Sequence, residues 1–191
     1  MIKKCFKPLL ALGTVMLALS AMAQTNSDCI SYRNSSLMLA PHSSGGWSIS
    51  DGGFRMLMLL PSPSQAKQMQ VVAGAYDQLC AIGLNNKRRQ VNEYIFRYFE
   101  GGTGKIPAMA GEDSQSYEPS KLEIKNVGAF GFAVFSGKAR IALLDTQAEA
   151  ARALAVLKNY DTQIFVGRDP KSGTFSAQYF RSRDILGDVP R

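Results

Sequence analysis

The sequence is poor in the side chains that catalytic and metal sites most often use. Its 191 residues include one histidine, three cysteines and one tryptophan, and the 15 acidic residues are scattered along the chain. A structural zinc site takes four cysteine or histidine ligands, and a glycosidase needs two facing carboxylates. Neither set is evident from the sequence, so we predict no metal, no cofactor and no enzymatic activity.

No apolar run after the first 23 residues is long enough to span a membrane. Those 23 residues have the plan of an export signal: three early lysines, an apolar segment, and Ala-Met-Ala ending at Ala23. The apolar segment is shorter than the roughly 20 residues that a spanning helix needs. We therefore predict a cleaved signal peptide over residues 1–23, no membrane span in the mature chain, and a periplasmic or secreted location.

The mature chain is only modestly basic. The formal charge of the whole sequence is +7, and removing Lys3, Lys4 and Lys7 with the signal leaves +7 − 3 = +4. A nucleic-acid-binding protein usually concentrates much more positive charge on one face. The balance excludes nucleic acid as the expected partner and permits weak attraction to an anionic one.

Two cysteines remain after the signal is removed, because Cys5 lies within it. Cys29 and Cys80 form an even set in an exported chain, where the oxidising surroundings make a disulfide the default state. We therefore predict a Cys29–Cys80 disulfide rather than a metal site.

The mature chain aligns with itself. Tyr32 matches Tyr117, Arg55 matches Arg140, and the Phe-Arg pair ending at Arg97 matches the pair ending at Arg181. Apart from a single one-residue gap, the matches keep their register over a long stretch, which indicates a tandem duplication. We assign repeat 1 to residues 24–100, a Gly-, Ser- and Pro-rich linker to 101–119, repeat 2 to 120–182 and a polar tail to 183–191.

Each repeat is predicted to run β-β-β-α-β-β. Alternating apolar residues indicate strands at 36–40 and 47–50, and the apolar run at 54–60 indicates a third strand that is central and buried. A capping box at Thr146, and Ser62 followed by proline, mark the helix starts. The fold class is therefore α+β, an antiparallel-rich sheet with one helix in each repeat.

The two repeats share parts of one spaced pattern. The first has Cys-Ile-Ser-Tyr from Cys29, Trp-x-Ile-x-Asp-Gly from Trp47, then Tyr76 and Cys80, and the second ends its helix and strand in Ile-Phe-Val-Gly-Arg at Arg168. These motifs resemble a small module of secreted bacterial and fungal proteins with Cys-Ile-x-Phe/Tyr, Trp-x-x-x-Asp-Gly and Cys-Phe-Val-Gly-Arg. The resemblance implies the fold and export of that module and no particular activity.

Three side chains are the only candidates for catalysis. His42 lies in a turn-like Pro-His-Ser-Ser-Gly-Gly segment, and Asp51 and Asp145 follow strands. Neither acid has a charged counterpart in the other repeat, so we interpret both as turn and helix-start residues. A hydrolase of cell-wall or protein substrates that uses these three side chains is the alternative hypothesis.

A basic cluster is the most suggestive functional feature. Arg88 and Arg89 lie in the last loop of repeat 1, and Arg168 and Lys171 lie in the corresponding loop of repeat 2. Arginine forks suit anionic groups, although a solvated loop remains the simpler interpretation. We predict an exported, non-catalytic binding or inhibitor-like protein of the bacterial envelope, whose partner is a protein or an anionic envelope component.

Overall fold

The computed structural model describes residues 28–52, 55–84 and 95–182. The predicted signal, the polar tail, Arg88 and Arg89 lie outside these residues. The described chain forms a first half (residues 28–100) and a second half (residues 113–182), joined by segment 101–112. No helix in the described ranges combines the length and apolar character needed to cross a membrane.

Two α-helices form where the capping signals predict them. Helix α1 covers Pro63–Gly74, and the Ser62 hydroxyl accepts a hydrogen bond from the Gln65 amide at 3.3 Å. Helix α2 covers Gln147–Leu157, where Thr146 and Glu149 form a complete capping box. These caps satisfy amide groups that the first helical turn leaves unpaired.

Twelve strands form four antiparallel sheets of three strands each within the described residues. The first-half strands are β1 (Asp28–Ser31), β2 (Leu37–Pro41), β3 (Trp47–Asp51), β4 (Arg55–Leu60), β5 (Gln78–Ile82) and β6 (Phe96–Glu100). The second-half strands are β7 (Asp113–Ser116), β8 (Leu122–Asn126), β9 (Phe132–Ser136), β10 (Ala139–Leu144), β11 (Thr162–Val166) and β12 (Ala177–Arg181). The mixed helix and antiparallel-sheet class is therefore confirmed.

The sheets have the same strand order in the two halves. The first half pairs β2-β3-β4 and β1-β5-β6, and the second pairs β8-β9-β10 and β7-β11-β12. Each half thus begins with one strand more than the sequence predicts, and β7 lies inside the segment predicted as a linker. The four-residue sequences of β1 and β7 carry no apolar alternation, and both strands lie at a sheet edge. The side chains of β1 are exposed, and those of β7 alternate between half-buried and exposed.

The prediction that the third strands are central is wrong. Strands β3 and β9 are central, and β4 and β10 form sheet edges. The apolar run in β10 has another cause: Ile141 and Leu144 pack in a core with α2, and β10 also contacts β6 of the first half. Burial against separate elements gives the same apolar pattern as a central strand.

Strand pairing also corrects the internal alignment. A β-bulge places one extra residue, Leu57, in β4, and the same irregularity places Ile141 in β10. The turn between β3 and β4 is one residue longer than the turn between β9 and β10. The residue corresponding to Arg140 is therefore Met56, not Arg55. In the last strands the pairing aligns Tyr98 with Tyr179.

The halves interlock through two shared cores. The first core joins α1 and the β2-β3-β4 sheet to Ile164, Val166 and Tyr179 of the second half. The second core joins α2 and the β8-β9-β10 sheet to Ile82 and Phe96 of the first half. Fully burying an apolar side chain of this size contributes about 1.5–3 kcal/mol. Each helix therefore packs mainly on its own half and in part on strands of the other half.

Cys29 and Cys80 form the predicted disulfide. They lie opposite each other on β1 and β5, while Ser114 and Ile164 lie opposite each other on β7 and β11. The covalent link is thus specific to the first half, although the strand pairing that presents it occurs in both.

Two glycines fix the turns that lead into the central strands. Gly46 and Gly131 have φ angles of 80° and 93°, a region that side chains other than glycine rarely adopt. A Cβ atom at either position would collide with a carbonyl oxygen, that of Leu60 or that of Leu144. The sequence match between these glycines therefore has the same steric cause in each half.

Candidate binding groove

Of the two described residues of the basic cluster, Arg168 is engaged within the protein. Arg168 donates to Asp113 through Nε at 2.7 Å and again through Nη2, and its guanidinium lies 4.1 Å from the centre of the Phe165 ring. Lys171 is exposed in the same loop, and its backbone amide donates to Asp169. Asp113, on the neighbouring strand β7, therefore neutralises part of the charge of Arg168.

The candidate catalytic residues have structural partners of their own. The Ser36 hydroxyl and the Arg33 amide donate to Asp51 at 2.7 and 3.2 Å, and these bonds hold the pKa of Asp51 below its ordinary value. His42 Nδ1 lies 2.7 Å from the Ser44 hydroxyl in an exposed turn. Both contacts brace turns, as the sequence interpretation expects.

The fold also separates these residues. His42 follows Pro41, which pairs with Trp47 at the start of β3, whereas Asp51 lies at the end of that strand. Four strand steps of about 3.3 Å place the two ends about 13 Å apart. Asp145 lies in the second half, before the N-cap of α2. Because His42 and Asp51 lie toward opposite ends of β3, the three candidates do not form one site.

Among the described residues, the metal-type ligands that lie close together do not make a metal site. Cys29, Cys80 and Glu100 are the one group of at least three metal-type ligands found close together among the described residues. The two sulfur atoms are bonded to each other, so neither is available as a thiolate ligand. A single carboxylate is left, which does not hold a metal ion.

A groove of about 250 Å³ runs between the β7-β11-β12 sheet and strand β10. Three glutamines line it, Gln115 on β7, Gln163 on β11 and Gln178 on β12, and we call it the amide groove. Arg140 and Arg168 also line it. It is smaller than the pockets of roughly 300–1,000 Å³ that take drug-sized ligands, so it suits a single chemical group or a small unit of a larger ligand.

Strand register brings the glutamines together. Gln115 and Gln163 are direct partners on β7 and β11, so their side chains share one face of the sheet. Gln178 is the partner of Phe165, two residues beyond Gln163 and hence on that same face. The intervening residue Ile164 points to the opposite face, where it enters the core with α1.

The amides in the groove are only partly satisfied. Gln163 is 1% exposed, and its Nε2 donates to the Ile141 carbonyl at 3.2 Å and to the Gln178 amide oxygen at 2.6 Å. Gln163 Oε1 and Gln115 Nε2 are buried without a hydrogen-bond partner. Leaving a buried polar group unpaired costs about 1–3 kcal/mol. The groove therefore holds one acceptor and one donor that the fold itself does not use.

The first half has apolar residues at the corresponding strand positions. Strand pairing aligns Gln115 with Ile30, Gln163 with Leu79, and Arg140 with Met56. Ile30 and Met56 are exposed. The same strand arrangement therefore forms with apolar side chains, and the glutamines are not needed to build it.

A smaller cavity of about 60 Å³ lies beside the amide groove, where the two halves meet. It is lined by corresponding residues, Phe96 and Ala177, and Arg97 and Gln178. Strand pairing therefore matches Arg97 with Gln178. The sequence alignment matches it with Arg181, three residues further along the chain, and that match is wrong.

The sequence interpretation missed the glutamines because uncharged amides give no charge or spacing signal. A usable signal was present in the repeat alignment, where Gln115 and Gln163 stand at positions that carry Ile30 and Leu79 in the first copy. Polar residues at strand positions that are apolar in the other copy mark a local change in surface chemistry.

Comparisons with protein-family models, with curated proteins and with solved structures each find no match. The geometry of the groove therefore carries the functional argument by itself.

Proposed function

We propose that the chain is an exported, non-catalytic binding protein of the bacterial envelope, which recognises a protein or an anionic envelope component. The observation that carries the proposal is the amide groove, where hydrogen-bonding and cationic side chains converge on one concave surface. The candidate catalytic side chains do not converge in this way. Convergent polar groups in a concave site are typical of ligand recognition.

The cations at the groove support the choice of partner. Arg140 and Arg168 line it, and exposed Lys171 lies three residues from Arg168. Asp113 offsets part of the charge of Arg168. The charge of exposed Lys171 favours acidic groups of a protein or an envelope polymer at the rim, with a contribution that salt weakens.

The proposal includes export from the cytoplasm. It is supported by the basic and apolar plan of residues 1–23 and by the Cys29–Cys80 disulfide, a bond that persists mainly in oxidising compartments. Periplasm and external medium share that property. Mass analysis of the exported protein should give a chain that begins at Gln24, and retention of residues 1–23 would contradict this part of the proposal.

We also propose that the two halves descend from one duplicated unit, the small secreted module that the motifs resemble. Shared strand order, bulges at Leu57 and Ile141, and the steric role of Gly46 and Gly131 support this origin. Duplication explains why one half can retain the disulfide while the other acquires the amide groove.

The test separates binding from turnover. Mature protein is incubated with fractions of isolated envelope, and both its saturable retention and the release of low-mass products are measured. We expect retention with no release, unchanged in His42→Ala and Asp51→Ala and weakened in Arg140→Ala. Product release that either of the first two variants abolishes would overturn the proposal in favour of a hydrolase.

A further inference from the structure

We propose that the amide groove binds the secondary amide group of a neutral ligand unit. This inference rests on the proposed binding function and names the chemistry at the floor of its site. The floor carries an unpartnered acceptor on Gln163 and an unpartnered donor on Gln115, on directly paired residues of neighbouring strands. A secondary amide offers one donor and one acceptor, which matches this set.

Singly charged groups match the floor less well. A carboxylate or phosphate would satisfy the Gln115 donor and place negative charge against the Gln163 oxygen. An ammonium group would satisfy that oxygen and oppose the Gln115 donor. The N and O positions of Gln163 follow from its hydrogen bonds, because Nε2 donates to the Ile141 carbonyl and to the Gln178 amide oxygen. Its unpaired oxygen therefore needs a donor from the ligand, while the Gln115 amide beside it offers a donor to the ligand.

The walls are consistent with the rest of such a unit. Ile141 and Leu143 of β10 line the groove beside the amides, and Phe175 packs 5.2 Å from Phe165, measured between ring centres. These apolar surfaces suit the methyl or methylene group attached to an amide carbonyl. Arg140 and Arg168 also line the groove, so acidic substituents of the same ligand would lie near them at the rim. This agrees with the partner class proposed above.

Secondary amides reach an envelope protein from two sources, acetamido sugars and peptides. The two are distinguished with N-acetylglucosamine and N-acetylglycine N-methylamide as probes. Glucose, which lacks the amide, and acetate, which supplies only an anion, serve as controls. The readout is the side-chain NH₂ signals of Gln115, Gln163 and Gln178 in ¹⁵N-labelled mature protein, assigned with single variants. Gln178 lines the same groove and reports binding in variants that lack the other two glutamines.

We expect at least one amide probe to shift the Gln115 and Gln163 signals in a saturable manner, and the more effective probe identifies the source. The variant Gln115→Ile/Gln163→Leu copies the first-half residues and should bind that probe at least tenfold more weakly. Ile30→Gln, an exposed change in the first half, should bind as the wild type does. If the double variant does not fold, Gln115→Ile alone provides the comparison, because this residue is only half-buried.

Absence of any shift with both amide probes would overturn the inference. Equal shifts with glucose or acetate, or equal probe affinity of the variant and the wild type, would also overturn it. The proposed function has a separate readout, retention on envelope fractions. Retention without an amide response would contradict this inference alone, and absence of retention would contradict the proposed function.

Discussion

The hydroxyl of Tyr160 donates a hydrogen bond to the backbone carbonyl of Phe99 at 3.3 Å. Tyr160 lies between α2 and β11 in the second half, and Phe99 lies on β6 in the first, so the bond crosses the interface between the halves. It accompanies the shared cores, in which each helix packs on strands of both halves. Unfolding of one half should therefore expose the core of the other.

Truncating a core residue in the second half should destabilise the first. Leu157 is fully buried in the core around α2, and Leu157→Ala should lower the free energy of unfolding by about 2–5 kcal/mol. Urea unfolding followed by fluorescence of Trp47, the single tryptophan and a first-half residue, measures this effect. An unchanged Trp47 midpoint would show that the halves unfold independently.

The disulfide should stabilise a chain that folds without it. Its cysteines are 51 residues apart, and closing a loop of that length contributes about 4 kcal/mol in the chain-entropy model. Cys29→Ser/Cys80→Ile copies the residues found at Ser114 and Ile164 and should retain the fold with a lower urea midpoint. Reductant should lower the midpoint of the wild type and leave that of the variant unchanged. An equal response of the two proteins would contradict the prediction.

A buried ion pair fixes segment 101–112 to the second half. Arg181 donates to Glu112 at 2.7 and 2.9 Å, and Tyr179 donates to the same carboxylate at 2.5 Å. The side chains of Arg181 and Glu112 are 8% and 11% exposed. Arg181→Met leaves a buried carboxylate without its cation and should lower the free energy of unfolding by about 3–5 kcal/mol.

A double-mutant cycle separates the ion pair from local packing. Arg181→Met/Glu112→Leu removes both charges and should be more stable than Arg181→Met alone. Thermal unfolding of both variants and of Glu112→Leu provides the comparison. Additive effects of the two single changes would show that the pair is not energetically coupled.

Buried tyrosines predict loss of stability at alkaline pH. Burial raises the pKa of Tyr32 and of Tyr117 above the ordinary 10.0, and their hydroxyls donate to the carbonyls of Ala73 and Leu157. Above about pH 10 the tyrosines of the unfolded chain release protons that the folded protein retains. The free energy of unfolding therefore falls as pH rises. Tyr32→Phe/Tyr117→Phe should show a shallower fall in urea midpoint between about pH 9 and pH 11. Equal slopes would contradict the assignment.

Much of the local structure could be predicted because its causes are local. The capping residues Ser62 and Thr146 determine the helix starts, and the glycines Gly46 and Gly131 are required by backbone geometry. The disulfide followed from cysteine number and compartment. These features depend on a few neighbouring residues whose types are distinctive.

The remaining features depend on contacts that sequence order does not show. Strand β7 has the polar sequence Asp-Ser-Gln-Ser and forms because β11 offers it a partner. The apolar run in β10 looked like a central strand because it packs against elements of both halves. The groove needs Gln115, Gln163 and Gln178 from three strands, and only their register shows that they share a face.

The most direct test of the account measures the dissociation constant of the mature protein for retained envelope material, in the wild type and in Gln115→Ile/Gln163→Leu. We predict at least tenfold weaker binding by the variant, about 1.4 kcal/mol, with its folding unaffected and with the Ile30→Gln control binding as the wild type does. Equal dissociation constants for the wild type and the variant would contradict the claim that the amide groove is the binding site.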